Sequence, residues 1–128
     1  SVGCDPAGWA GERRMTDSPL RGEFWMVDLD PARGHEQAGT RPALVVSDDT
    51  FNQGPAGLVI VVPVTSSDKR VRSHVRVEPP EGGLRTTSFI QCEDVRSVTN
   101  ARLTKRLGTV SQATLQAVAL RLRVLMDL

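Results

Sequence analysis

The chain of 128 residues contains no tyrosine, and its aromatics are two tryptophans and three phenylalanines. A surface that stacks many bases is hard to build from that set, so any nucleic-acid contact would depend on hydrogen bonds and local charge. Cysteine is equally scarce. Cys4 and Cys92 stand far apart, and neither has a cysteine or histidine at metal-ligand spacing. That excludes a disulfide framework and argues against a zinc site. His35 and His74 are isolated too. The longest apolar run, Leu58–Val64, is far too short to cross a bilayer. No basic segment followed by an apolar stretch opens the chain, so no secretory signal is expected and the cytoplasm is the default location.

What is present is the composition of one ordinary globular domain. Hydrophobic residues make up 39% and charged residues 24%, enough for a real core. The charge nearly cancels, at 16 basic against 15 acidic residues, so the total gives no support to nucleic-acid binding. Fourteen of the 16 basic residues are arginine, the better bidentate phosphate ligand. Residues 1–20 are rich in Gly, Ala, Pro, Asp and Ser without a sustained period, and read as a flexible arm. Met15 offers an alternative start, which would put the first 14 residues outside the native protein.

From Gly22 the pattern changes to short strands. Glu23–Leu29 is expected as the first, ended by the turn pair Asp30-Pro31. Ala43–Ser47 is the second, and Gly57–Thr65 the third. The third is apolar throughout and so buried on both faces, with Pro63 marking an edge or bulge. Arg72–Glu78 alternates Ser73, Val75 and Val77 with an outer polar set of Arg72, His74, Arg76 and Glu78. A turn at Pro79–Gly83 precedes a strand over Thr87–Val95. One helix is clear. Ser111 is its N-cap, and Leu115, Val118, Ala119, Leu122, Leu125 and Met126 recur at helical spacing. Leu120, Val124 and Leu128 fall on the opposite side, so one face would pack on the sheet and the other on a partner or under a loop. The expected fold class is α+β, mainly β: a curled sheet or barrel closed off by a C-terminal helix.

The segment Asp30–Pro42 stands out locally. It is a polar stretch with Gly34 and Gly39, set between two strands and ending in an Arg41-Pro42 corner that restricts the arginine to extended geometry. Such loops carry function on rigid scaffolds, yet Glu36 and Arg41 alone would read as a surface ion pair. Lys69, Arg70 and Arg72 form a second basic stretch, either solvated or phosphate-guiding. Asp48-Asp49 has no third acidic ligand in register and reads as a turn start.

The ordered string Asp30-Pro31, Gly34, Glu36-Gln37-Ala38-Gly39, Arg41-Pro42-Ala43, Val45 and Ser47 resembles the N-terminal signature of the MazF/PemK/Kid toxin family of type II toxin–antitoxin systems. Val62–Ser67, Ser73–Val75, Cys92–Ser97 and Leu107–Val110 follow in the family's order, so the resemblance covers roughly residues 21–128. Five ordered motifs are far more specific than one. The resemblance implies an SH3-like barrel acting as a homodimer. It also implies cleavage of single-stranded RNA without metal or other cofactor, leaving a 2′,3′-cyclic phosphate and a 5′-hydroxyl. The implied partner is an antitoxin with a disordered acidic tail. Arg41, Thr65 and Glu36 match catalytic positions, while Gln37, Ser66, Lys69, Arg70 and His35 are the expected RNA contacts. Asp94 stands where the family commonly has glutamine, and His35 where it often has serine. Two non-catalytic readings compete with cleavage: a toxin of the gyrase-poisoning kind, and a degenerate homologue that only binds antitoxin. Retention of Arg41 with Thr65 favours the nuclease.

Overall fold

A computed structural model of the chain describes residues 18–29 and 39–128. Among these residues, seven strands form one antiparallel sheet: β1 (Glu23–Leu29), β2 (Gly39–Val45), β3 (Leu58–Thr65), β4 (His74–Val77), β5 (Ser88–Gln91), β6 (Arg96–Thr99) and β7 (Leu103–Thr109). Their order is β4-β5-β3-β2-β1-β7, with β6 also on β3. The path keeps two ends, at β4 and β7, so the sheet is curled and open rather than a closed barrel. Two register shifts between β1 and β7 add local twist.

β3 is the central strand. β2 lies along one edge, while the other edge is shared: β6 pairs Leu58–Val61 and β5 pairs Val64 and Thr65. Pro63 falls in the gap where β3 exchanges one partner for the other, so its missing N–H sits at a break in the ladder. Apolar residues on both faces of β3 explain why the strand reads as a continuous hydrophobic run. Val62 and Val64 join one core with Phe24, Leu44, Val75, Val77 and Ile90. Val59 and Val61 join the other with Val27, Ala43 and Val45.

The first core is closed by α2 (Gln112–Met126). Ser111 Oγ accepts the Thr114 N–H at 3.2 Å, as the N-cap expectation requires. Glu81 adds a second cap that sequence pattern does not reveal. Its Oε2 accepts the Ser111 N–H at 2.9 Å and the Thr114 hydroxyl at 2.7 Å. The Ser111 amide is the main reason its carboxyl lies below the ordinary glutamate range; Thr114 adds to this and partial burial opposes it. Glu81 reaches α2 because its tight turn lies flat on the sheet. Gly82 and Gly83 adopt positive φ there, and a Cβ at either would strike the Phe24 ring or the Leu107 carbonyl. Val118 is fully buried, which contributes on the order of 1.5–3 kcal/mol. Asp127, in the left-handed conformation, ends the helix.

Three sequence expectations shift. β2 begins at Gly39 and ends at Val45, because Gly39–Pro42 pair with Leu29–Met26 and so belong to the strand rather than the loop. Thr87–Val95 is not one strand: β5 ends at Gln91, and Cys92–Asp94 makes a 3₁₀ turn into β6. Asp48-Asp49 starts a one-turn helix, α1 (Asp49–Gln53), with Asp48 as its N-cap. Of the expected arm, residues 1–17 lie outside the described residues. Pro19 is buried, and its carbonyl accepts the Asn52 side-chain N–H at 3.2 Å.

Candidate active site

Arg41 and Thr65 are set by strand pairing. The β2–β3 ladder runs Val45↔Val61, Leu44↔Val62 and Ala43↔Pro63, then stops. Two residues outward from that last pair stand Arg41 on β2 and Thr65 on β3. Side chains alternate along a strand, so both share the face of Ala43, Val45, Val59 and Val61, the face of the second core. Each is half-buried and fixed from its other side, Arg41 opposite Val27 and Thr65 opposite Phe89. A guanidinium and a hydroxyl therefore flank the end of one ladder.

The local chemistry suits an anion. Among the described residues the Arg41 guanidinium has no ion-pair partner. Thr65 Oγ1 accepts the Ser67 N–H at 3.2 Å, which leaves its own hydroxyl hydrogen to donate outward. The chain then turns through exposed Ser66, Lys69 and Arg70. Arg70 takes a positive φ of 55°, and its N–H is held by Asp68 Oδ1 at 2.9 Å. The carbonyl of Arg72 accepts from Arg121 Nε at 3.1 Å, tying the end of this segment to α2. His35, Glu36 and Gln37 lie outside the described residues, as does most of the Gly34–Pro42 stretch.

The same pairing reveals a row that sequence inspection does not. Thr65 is opposite Phe89, and Phe89 is opposite Arg76 on β4. Cross-strand partners project to one face, so Arg76 shares the face of Thr65 two strands away.

His74 departs from its expected place on an outer polar face. It is only 9% exposed, because Nε2 lies 2.8 Å from Glu93 Oε2 and the ring is drawn in against the Cys92–Asp94 turn. Ser73 Oγ donates to the other Glu93 oxygen. Burial would raise the Glu93 carboxyl, but the bonds from Ser73 and His74 outweigh it and hold the group below the usual range. Among the described residues, buried His74 Nδ1 has no hydrogen-bond partner. Beside this cluster, α2 turns Leu120 and Val124 to solvent over a groove of about 530 Å³, floored by Ser73 and His74.

Fold and site together define a class: a small α+β protein with an open, curled antiparallel sheet, a capping helix, and an arginine and a threonine at one ladder end. Comparison with known proteins narrows this. Residues 20–126 match the family described as PemK-like, MazF-like toxin of type II toxin–antitoxin system. The chain is 39% identical over 123 residues to endoribonuclease PemK of Escherichia coli, covering 93% of this chain and 92% of that protein. The crystal structure of MazF from Deinococcus radiodurans superposes with a TM-score of 0.74 at 29% identity, covering 87% of this chain and 98% of that one. An endoribonuclease in complex with its cognate antitoxin, from a mycobacterial species, superposes with a TM-score of 0.69 at 25% identity, covering 88% and 96%. The chain belongs to the PemK/MazF toxin family.

Proposed function

We propose that this chain is an endoribonuclease toxin that cuts single-stranded RNA at short sequence motifs. The observation that carries the reading is the β2–β3 register, which brings Arg41 and Thr65 to one face at one ladder end. Family membership and a PemK endoribonuclease relative over nearly the whole chain support it.

The reaction is an in-line transesterification. The ribose 2′-oxygen attacks phosphorus, the bond to the 5′-oxygen breaks, and the products carry a 2′,3′-cyclic phosphate and a 5′-hydroxyl. Because the nucleophile comes from the substrate, the protein has to move two protons and stabilise charge on the phosphorane. Glu36 takes the 2′ proton, and His35 or water returns one to the leaving oxygen. Arg41 binds a non-bridging oxygen through its fork of donors. Its normal pKa makes it a poor acid, so its role is charge stabilisation. Thr65 donates to the second non-bridging oxygen. No step calls for a metal. Gln37, Ser66, Lys69 and Arg70 hold the flanking nucleotides.

The partner proposed is a cognate antitoxin whose disordered acidic tail folds on binding and competes with RNA for the same cations. The mycobacterial endoribonuclease–antitoxin complex supports it. The chain acts as a homodimer in the cytoplasm, where its RNA is made. Support for the dimer comes from α2, whose outer face leaves Leu120 59% and Val124 72% exposed.

The test is incubation with a long single-stranded RNA in EDTA, beside Arg41→Ala. Metal-free cleavage with cyclic-phosphate ends, lost in the variant, is expected. No cleavage by the parent protein would overturn the assignment, and equal cleavage by both would remove Arg41 from the mechanism.

A further inference from the structure

Among the exposed cations that strand register assigns to the face of Arg41 and Thr65, Arg96 lies opposite Val61 and Arg106 opposite Trp25, while Arg76 stands in the row of Thr65 itself. Arg76 pairs across β4–β5 with Phe89, and Phe89 pairs across β5–β3 with Thr65. Two strand spacings put the Arg76 Cα roughly 10 Å from that of Thr65. Phe89 lies between them, only 8% exposed, and places no polar group in the interval. The Arg76 side chain is 63% exposed, and its stem is long enough to span much of that interval once its guanidinium leaves Glu78.

We infer that Arg76 is an RNA-phosphate ligand, holding the backbone of a nucleotide next to the scissile one, and that Glu78 competes with RNA for it. This rests on the proposed cleavage of RNA at Thr65 and adds a substrate contact on β4. The competitor is visible in the structure. Arg76 Nε lies 2.5 Å from Glu78 Oε2, on the same face two residues along the strand. Glu78 is anchored from the far side, where Thr87 Oγ1 donates to Oε1 at 2.7 Å. That hydroxyl, ahead of Arg76, keeps the carboxyl ionised below the ordinary glutamate range. A fixed, exposed carboxylate beside the track repels phosphate and occupies part of the arginine fork. Phosphate binding thus draws the guanidinium away from Glu78 toward Thr65. An exposed ion pair of this kind contributes little to stability, so changes at either residue leave the fold intact.

The test is steady-state cleavage and salt-dependent binding of a single-stranded RNA by the full chain, with thermal midpoints as the folding control. Arg76→Ala is expected to raise KM about five- to tenfold with kcat changed less than twofold. It is also expected to flatten the log Kd–log salt slope by about 0.7, the value for one phosphate on a single strand. Arg76→Lys restores most of the loss, because charge rather than fork geometry is required. Glu78→Gln lowers KM about twofold. If the parent cleaves RNA while Arg76→Ala keeps the parental KM and salt slope, the inference on Arg76 fails and the nuclease reading stands. A rise in KM for Glu78→Gln would overturn the competition. A parent that neither binds nor cleaves RNA would sink both.

Discussion

Arg41 is the residue on which the proposed chemistry turns. An exposed ion pair is worth little, whereas a half-buried arginine at a strand end, on the face of the Thr65 hydroxyl, is placed to meet an anion. Arg41→Ala is expected to lower kcat by about 10²–10³-fold in a single-turnover RNA cleavage assay, the range for removing one preorganised donor. Arg41→Lys should recover only part of that, since a point charge does not reproduce the bidentate fork. Thr65→Val deletes one hydrogen bond to a charged oxygen and should cost about 10- to 100-fold in the same assay. Cys92 makes a contrasting case. Burial pushes its thiol up to about 11, and it sits fully inside the first core. Iodoacetamide at pH 8 should therefore leave the Cys92 peptide unmodified by mass mapping until denaturant is added.

At the scale of elements, α2 is the piece whose attachment the structure explains best. Its N-terminus carries two caps, Ser111 from the sequence next door and Glu81 from a turn 30 residues away. Glu81→Gln removes the charge facing the helix N-terminus and should cost about 1 kcal/mol at pH 7 in urea denaturation. The sign of its pH dependence follows from the lowered carboxyl. The contribution is present above the unfolded-state pKa and is lost as pH falls through the folded one, so parent and variant should converge in strongly acidic buffer. The helix itself was legible beforehand, because its period and N-cap are local. So was β1, whose bounds, Glu23–Leu29, the structure reproduces. The second cap was not legible, because no pattern within ten residues of Ser111 points to Glu81. His74 was misassigned for a similar reason. Alternation put it on an outer face, but its position depends on Glu93, which a 3₁₀ turn rather than the expected strand carries to it.

For the molecule as a whole, the open question of assembly has a physical handle in α2. Its inner face closes the first core, while Leu120 and Val124 stay exposed on the other; Leu128, expected beside them, lies past the helix end and lines a pocket with Leu115, Val118 and Leu122. Leu120→Glu with Val124→Glu puts two charges on the face a second copy would bury. Light scattering after size exclusion should then show one chain mass where the parent shows two, with helix content unchanged. A parent that is monomeric at micromolar concentration would remove the dimer. The sequence alone determined what depends on neighbours in the chain: the strand periods, the α2 N-cap, and five ordered motifs that carry the family. Tertiary structure decided which strand ends meet. Register is a non-local property, and a slip of one residue would send Arg41 or Thr65 to the opposite face. Only the paired sheet could show that Arg41 and Thr65 share a face, that Arg76 joins their row, and that the curl remains open between β4 and β7.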